Sequence, residues 1–178
     1  TLRELKQRGK AAETVGVELD QRAAEAATEN VDRVLIGSIE EINLPFSDEY
    51  FDVILLLDVL EHLFDPWRAV SRLVPLCRRG GLFIASIPNV CYWRAVLALV
   101  LFDRLDYTEE GLLDRTHLRF FTGRSAKQLF ADAGLVVEAM LPTRGQGLRL
   151  FNTVAAGLSC GLLGRFFTFQ YLVKARRP

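Results

Sequence analysis

The sequence predicts an α/β fold built on a doubly wound, mostly parallel sheet. Short apolar segments alternate with charged, helix-forming segments between Thr14 and Asn89, and this alternation is typical of parallel strands joined by helices. The segment FDVILLLDVLEHLFDP, residues 51–66, contains an unbroken apolar run from Val53 to Leu57, which suits a strand covered on both faces. Ionisable side chains follow this run directly, at the strand end where open α/β sheets bind their ligands.

The 178 residues carry equal numbers of basic and acidic side chains, and half of them are hydrophobic. This composition is ordinary for a globular protein and predicts one domain, residues 1–178, with a large core. Because the net charge is zero and the Arg residues are scattered, we expect no nucleic-acid partner. The apolar runs Ala95–Phe102 and Val154–Leu163 are shorter than the roughly 20 residues that a membrane span requires, so no span is predicted.

The three cysteines, Cys77, Cys91 and Cys160, are isolated and lack the spacing of metal ligands. They favour reduced thiols in a cytoplasmic protein, and the charged opening TLRELKQRGK does not resemble a signal peptide. The two histidines are far apart in the sequence and the acidic residues are scattered, so no metal site is predicted.

Boundary residues and composition predict the elements of the alternating part. Leu2 and Leu5 share one face of the first helix, and Gly9 can end it. The second helix is rich in Ala and in charge, and Pro66 can open the third. The predicted helices are Thr1–Gly9, Gln21–Asn30 and Pro66–Cys77, and the predicted strands are Thr14–Leu19, Val34–Ile36, Val53–Leu57 and Leu82–Ile87, the last preceded by a turn at Arg78–Gly81.

The alternation breaks after Asn89. A helix is predicted at Val90–Leu105, and a long polar and aromatic connection follows at Asp106–Thr122. The remaining predicted elements are a helix at Ser125–Ala133, a strand at Leu135–Leu141, a glycine-rich loop at Thr143–Gly147, an apolar helix at Leu150–Leu163 and a closing strand at Phe166–Ala175.

Three strand ends carry candidate binding residues. Glu18 follows the first predicted strand, where a carboxylate can accept hydrogen bonds from the two hydroxyls of a ribose; an exposed loop acid is the alternative. Ser38 follows Gly37 after the next strand and could meet an adenine edge, although Gly-Ser is also ordinary turn chemistry. The residues from Asp58 to His62 follow the central apolar run, and a solvated helix start is the alternative there.

The order of these motifs is more specific than any one of them. The chain has an acid-ended strand, a Gly-Ser-ended strand about twenty residues later, a Leu-Pro-Phe loop, FDVI followed by EHL, and RRGGLFIASIPN. Together they resemble the class I S-adenosylmethionine-dependent methyltransferases over nearly the whole chain. The resemblance implies a Rossmann-like sheet with an antiparallel last strand, and S-adenosylmethionine as the cofactor lying across the strand ends.

The resemblance also implies six cofactor-binding positions. The acid after the first predicted strand matches the ribose-binding acid of the family, and its neighbour matches the apolar residue beside the adenine. Ser38 and Ile39 match the pair near the adenine amino group, where the family usually has Asp in place of Ser38. Leu57 and Asp58 match the pair near the methionine part of the cofactor. These positions are Glu18 and Leu19, Ser38 and Ile39, and Leu57 and Asp58.

Two further motifs narrow the resemblance. The signature Glu61-His62-Leu63 is similar to a branch that includes ubiquinone-type O-methyltransferases. The segment Leu101–Thr122, with its DRTHLRFFT pattern, looks like a bacterial branch of small-molecule methyltransferases, sometimes encoded or fused with glycosyltransferases. In that branch the pattern belongs to a segment that covers the substrate side, here residues 90–122. The implied substrate is the hydroxyl or amine of a small molecule, such as a saccharide or lipid precursor.

The cover segment, residues 90–122, supplies three candidate catalytic residues. His117 and Arg119 share a face in an extended chain because they are two residues apart. A neutral His117 could accept the proton of a hydroxyl nucleophile, Asp114 could orient its imidazole, and Arg119 could hold a substrate carboxylate or phosphate. The alternative is that His117 and Arg119 tie the cover to the sheet through hydrogen bonds.

The sequence departs from the family in one respect. It lacks the first strand and the GxGxG loop, and it begins within the helix that follows that loop. We therefore expect an N-terminally truncated piece of a longer protein, without the central first strand of its sheet. The alternatives are a sheet closed across the gap or a strand supplied by another chain, because unpaired backbone groups in a sheet are costly. A homo-oligomer is also considered. Glycines of this loop let the backbone approach the cofactor, so weak cofactor binding is expected without it.

A methyltransferase is the leading functional hypothesis. The second is a non-catalytic or truncated methyltransferase-like domain that serves as an assembly partner, with the small residues of Val154–Leu163 allowing close helix contact. A nicotinamide-dependent dehydrogenase also uses a strand-end acid, but nothing after Leu82 resembles its catalytic residues.

Overall fold

The computed structural model describes residues 1–143 and 163–178. It contains two compact units, Thr1–Pro45 and Phe46–Pro178, which are described separately. The predicted glycine-rich loop and the predicted apolar helix after it lie, except for Thr143 and Leu163, outside the described residues. In the described part of the chain, no helix has both the length and the apolar character needed to cross a membrane.

The first unit consists of two helices and a two-stranded parallel sheet. Asp20 caps the second helix by accepting a hydrogen bond from the backbone N–H of Ala23 at 2.8 Å. Where the two strands begin, Asp32 accepts bonds from the backbone N–H and the hydroxyl of Thr14 at 3.0 and 2.8 Å. Hydrogen bonds from Lys6 and Thr14 lower the pKa of Asp32 to about 2. The elements are α1 (Leu2–Gln7), β1 (Val15–Glu18), α2 (Gln21–Thr28) and β2 (Arg33–Ile36).

The second unit contains a mixed four-stranded sheet. Its spatial order is β3-β4-β6-β5, in which β3 and β4 are parallel while β6 is antiparallel to both of its neighbours. This arrangement confirms the predicted α/β fold with an antiparallel last strand; the missing central strand stays a prediction. The elements are β3 (Phe51–Leu57), α3 (Pro66–Leu73), β4 (Cys77–Pro88), α4 (Trp93–Phe102), α5 (Gly123–Asp132), β5 (Val136–Thr143) and β6 (Gln170–Arg176).

The core of the second unit forms around β4 and α5. Every second side chain of β4 from Phe83 to Ile87 is inaccessible to solvent, as expected for side chains that alternate between the two faces of a strand. Helix α5 buries Ala126, Leu129 and Phe130 and packs against β5, β6 and α3. The prediction that both faces of β3 are covered is wrong at Val53, whose side chain is 44% exposed.

Several element boundaries differ from the prediction, among them the end of α3 at Leu73 rather than Cys77, and two of the differences change the sheet. Residues Arg78–Gly81 are not a turn before the strand, because β4 already begins at Cys77 and its pairing with β3 shifts register between Phe51 and Val53. At Gly81 a side chain would meet the Cys77 sulphur at 2.6 Å, so only glycine fits this irregularity. The closing strand begins at Gln170 rather than Phe166, since Gly164–Phe167 form a short 3-10 helix.

Candidate functional site

The carboxyl end of β3 is fixed by its neighbours in the sheet. Asp58 follows the strand with a φ of 53°, a left-handed conformation that Asp tolerates better than most residues. Its backbone N–H donates to the hydroxyl of Ser86 on β4 at 2.8 Å, and its carboxylate accepts from the side chain of Gln170 on β6. The predicted cofactor positions Leu57 and Asp58 therefore lie at a sharp, well-held bend at the strand end.

Glu18 closes β1 as predicted, and its carboxylate bonds to the local backbone. Its Oε1 accepts from the backbone N–H groups of Leu19 and Asp20 at 2.9 and 3.2 Å. The side chain of Leu19 is 72% exposed, so it lies open at the strand end. The roles of Glu18 and Leu19 in binding ribose and adenine stay predictions.

Ser38 stabilises the turn after β2. Its hydroxyl accepts from the backbone N–H of Glu40 at 3.2 Å, and its carbonyl accepts from the N–H groups of Glu41 and Ile42. This is the ordinary turn chemistry that the sequence left open as an alternative. Ile39 lies in the same turn and is partly buried; its predicted place near the adenine stays a prediction.

Three ionisable side chains of the second unit, Glu61, His62 and His117, form a cluster. The two imidazoles meet edge to face with ring centroids 4.7 Å apart, and one carboxylate oxygen of Glu61 and one ring nitrogen of each histidine lie within 4.8 Å of one another. Glu61 is only 1% exposed, and neither of its carboxylate oxygens has a hydrogen-bond partner among the described residues. Burial, together with the nearby charge of Asp58, raises the pKa of Glu61 to about 7.

Backbone hydrogen bonds from the cover segment create this cluster. The N–H groups of Leu118 and Arg119 both donate to the carbonyl of Glu61, at 2.8 and 3.0 Å, and the Arg119 side chain donates to the carbonyl of Phe64 at 2.9 Å. The cover is thereby attached to the 3-10 turn Leu60–His62 that follows β3. For Arg119 these contacts correspond to the structural alternative, since its guanidinium engages a backbone carbonyl; its role in holding a substrate anion stays a prediction.

In the structure Asp114 forms its hydrogen bonds with Thr116 rather than with His117, the predicted partner. The carboxylate of Asp114 accepts from the N–H and the hydroxyl of Thr116 at 2.8 and 2.6 Å, and these bonds lower its pKa. Because the Thr116 hydroxyl donates to Asp114, it accepts from Nδ1 of His62, 3.0 Å away. Asp114 therefore orients His62 through Thr116, whereas Nδ1 of His117 faces the carbonyl of Leu112 at 3.1 Å.

Sequence reasoning included Glu61 and His62 among the candidate residues at the end of the central apolar run but assigned them no specific role. Their meeting with His117 depends on the path of the cover, which the spacing of residues along the chain does not reveal. The sequence does contain one indication of the cluster: the ionisable motif EHL precedes β4 along the chain, and the ionisable motif DRTHLRFFT follows it.

The comparison with known families and proteins bears on this site. Residues 1–85 match the model of a methyltransferase domain family. A protein of Mycolicibacterium smegmatis, provisionally named an S-adenosylmethionine-dependent methyltransferase, is 32% identical over 141 residues, which cover 78% of this chain and 49% of the relative. A similarly named protein of Mycobacterium tuberculosis is 30% identical over 132 residues, covering 73% and 43%.

Residues 1–85 match a methyltransferase domain family, and most of the chain is similar to S-adenosylmethionine-dependent methyltransferases. The family and the names of the relatives agree with the predicted class of enzyme and with S-adenosylmethionine as its cofactor. The chain spans about half the length of the curated relatives that it matches. Their names do not identify a methyl acceptor, so the predicted small-molecule substrate belongs to the proposals below.

Solved structures show the same fold. An S-adenosylmethionine-dependent methyltransferase from Methanosarcina mazei superposes with a TM-score of 0.65 at 12% identity, covering 98% of this chain and 86% of the other. The [4+2]-cyclase SpnF superposes with a TM-score of 0.61 at 17% identity, covering 98% and 71%. Since a cyclase shares the methyltransferase fold, the function of this domain must be argued from its site.

Proposed function

We propose that this domain takes part in methyl transfer from S-adenosylmethionine to a hydroxyl or amine of a small molecule, such as a saccharide or lipid precursor. The observation that carries the proposal is the pair of imidazoles, His62 and His117, held beside the turn that follows β3 in a methyltransferase fold. A hydroxyl or ammonium acceptor must lose a proton when it is methylated, and imidazole is suited to assist this step near neutral pH.

The residues at the strand ends have the chemistry that the cofactor requires. Glu18 supplies a carboxylate directly after β1, which can accept hydrogen bonds from ribose hydroxyls, and the exposed Leu19 supplies an apolar neighbour. Asp58 turns the chain sharply after β3. When bound, S-adenosylmethionine supplies an electrophilic methyl group; the chain positions the acceptor, so orientation contributes much of the rate.

His117 is the residue that we propose to promote loss of the acceptor's proton. Its Nδ1 faces the carbonyl of Leu112 and therefore carries the hydrogen in the neutral ring. The other nitrogen, Nε2, forms no hydrogen bond with the described residues and has its lone pair available. Arg119, which holds the cover to Phe64, is proposed to keep His117 in place.

Titration of the full chain with S-adenosylhomocysteine tests the proposal. We expect binding that Glu18→Ala weakens by roughly 1–3 kcal/mol, the range for a lost hydrogen bond to a charged group. Glu29→Ala, which removes an exposed carboxylate from the end of α2, is the matched control and leaves the affinity unchanged. Equal affinities of the wild type and Glu18→Ala would contradict the assignment of Glu18.

A second candidate function is that of a methyltransferase-like assembly partner, including a homo-oligomer. It is favoured by the fold neighbour from Haloferax volcanii, a candidate methyltransferase solved in complex with the Trm112 methyltransferase activator, with a TM-score of 0.65 at 18% identity. In this chain α4 exposes three consecutive apolar side chains, Val100, Leu101 and Phe102, between 64% and 72%, which is unusual for a solvated surface. Light scattering separates the two functions, because a strictly monomeric chain that binds S-adenosylhomocysteine excludes the second in its homo-oligomeric form.

A further inference from the structure

We propose that Glu61, His62 and His117 bind a divalent metal ion, for which Zn²⁺ is the best match. Two imidazoles and one carboxylate are a donor set that suits zinc and related transition metals rather than calcium or magnesium. The site is built from two separate segments, the turn after β3 and the cover segment. Its role in the reaction rests on the proposed methyl transfer, but the binding itself does not.

The three donor atoms are close enough to share one ion. They lie within 4.8 Å of one another. Donors bonded at about 2.1 Å to a tetrahedral ion lie about 3.4 Å apart, so the most distant pair must approach by up to about 1.4 Å, which side-chain rotation can supply. His62 and His117 already meet edge to face at 4.7 Å between ring centroids.

The burial of Glu61 is the second, independent observation. The side chain is 1% exposed and its two carboxylate oxygens have no hydrogen-bond partner within the described parts of the chain. A buried carboxylate without a partner is costly, and buried charges in proteins are normally paired or coordinate metals. Among the described residues no group forms a hydrogen bond with this carboxylate, and an ion shared with the two histidines would satisfy it.

The surroundings of the histidines orient them as ligands. Nδ1 of His117 faces the carbonyl of Leu112 at 3.1 Å, and Nδ1 of His62 faces the carbonyl and hydroxyl of Thr116 at 3.2 and 3.0 Å. A ligating histidine commonly donates its second ring N–H to such an oxygen, which fixes the tautomer and leaves Nε2 for the metal. Asp114 completes this outer layer by holding the Thr116 hydroxyl.

Three protein ligands leave at least one coordination position open, as in catalytic rather than structural zinc sites. An acceptor hydroxyl bound at this position would have a lowered pKa and release its proton to water. With the ion bound, His117 would act as a ligand and would promote loss of the acceptor's proton through the ion rather than as a free base. No electron transfer is involved in this step.

Calorimetric titration of the full, chelator-treated chain with ZnCl₂ tests the inference, and the absorption spectrum of the Co²⁺-loaded chain gives a second readout. We expect one ion per chain, with an affinity lowered by more than about tenfold in His117→Ala and in Glu61→Gln, since loss of even an outer-layer partner costs that much. Glu61→Gln is close in size to the original and is the safer variant for folding. Glu110→Gln, in an exposed position of the cover, is the control and binds Zn²⁺ like the wild type.

Absence of Zn²⁺ binding overturns the inference, as does an isotherm that is the same in the wild type, His117→Ala and Glu61→Gln. The latter result would place the ion elsewhere, for example on the thiols. Titration of the same samples with S-adenosylhomocysteine separates this inference from the proposed function. Cofactor binding without Zn²⁺ binding refutes only the metal site, and Zn²⁺ binding without cofactor binding refutes only the proposed methyl transfer.

Discussion

His62 and His117 stand edge to face with ring centroids 4.7 Å apart, although they come from distant segments of the chain. The contact depends on the carbonyl of Glu61, which accepts the N–H groups of both Leu118 and Arg119. This one carbonyl, in the turn after β3, thus aligns the cover segment with that turn. As a consequence, His62 of the turn and His117 of the cover segment are brought together.

Replacing His117 by Ala is expected to lower kcat more than it changes the affinity for S-adenosylhomocysteine. In the proposed reaction the imidazole assists loss of the acceptor's proton, and loss of such a group lowers rates by roughly 10²–10⁴-fold. Steady-state kinetics and calorimetry measure the two effects. Arg115→Ala, which removes an exposed ion pair of the cover, should leave kcat unchanged. An unaltered kcat in His117→Ala would show that the residue is structural.

Replacing Arg119 by Ala is expected to loosen the attachment of the cover segment. The lost hydrogen bond to the carbonyl of Phe64 should lower the free energy of unfolding by about 0.5–1.5 kcal/mol. Urea denaturation measures this loss, and faster hydrogen exchange at the Leu118 amide would locate it. If stability and exchange stay unchanged while the Michaelis constant for the acceptor rises, the guanidinium binds substrate instead.

Replacing Gly123 by Ala is expected to destabilise the protein by about 1–3 kcal/mol, the usual cost of overpacking. A side chain at this position would lie 2.8–2.9 Å from the ring of Tyr171, which is too close for any real contact. Thermal denaturation of Gly123→Ala is compared with that of Gly164→Ala, where the structure has open space. Equal melting temperatures for these two variants would contradict the packing of α5 against β6.

The pair of strands β5 and β6 is expected to lose stability in acid through Glu138. Hydrogen bonds and charges from Arg176 and Lys174 lower the pKa of Glu138 to about 2, below its usual value of 4.5. A depressed pKa means that this stabilisation is complete above pH 4.5 and is lost as the pH falls towards 2. The melting temperature should therefore decrease less between pH 4.5 and pH 2 for Glu138→Gln than for the wild type. An equal decrease for both proteins would refute the assignment.

Much of the fold could be predicted from local sequence patterns. The positions of β1, β2, α2 and α5 follow from acid-ended and β-branched segments, capping residues and amphipathic periodicity. The start of β4 was missed because its two glycines, Gly80 and Gly81, read as a turn, whereas they allow an irregular pairing with β3. Local propensity cannot reveal such pairing, because a bulge depends on the partner strand.

The candidate site could be predicted only in part. Glu18 and Asp58 were placed at strand ends by sequence order alone, and the structure has both there. The predicted hydrogen-bond partner of Asp114, His117, was wrong. The Asp114 carboxylate bonds instead to the N–H and hydroxyl of Thr116, which lie closer in the same turn. The choice between these partners is decided by the local backbone, which residue types at a given spacing do not specify.

By itself, the sequence determined the class of fold and predicted the methyltransferase family and the strand ends proposed to bind its ligands, because these follow from hydrophobic periodicity and the order of motifs. Only the tertiary structure decided that Glu61, His62 and His117 form one cluster. The reason is physical: a long connection closes on the sheet through backbone hydrogen bonds, whose partners carry no signature in the sequence. The two motifs become one site when the cover segment binds the carbonyl of Glu61.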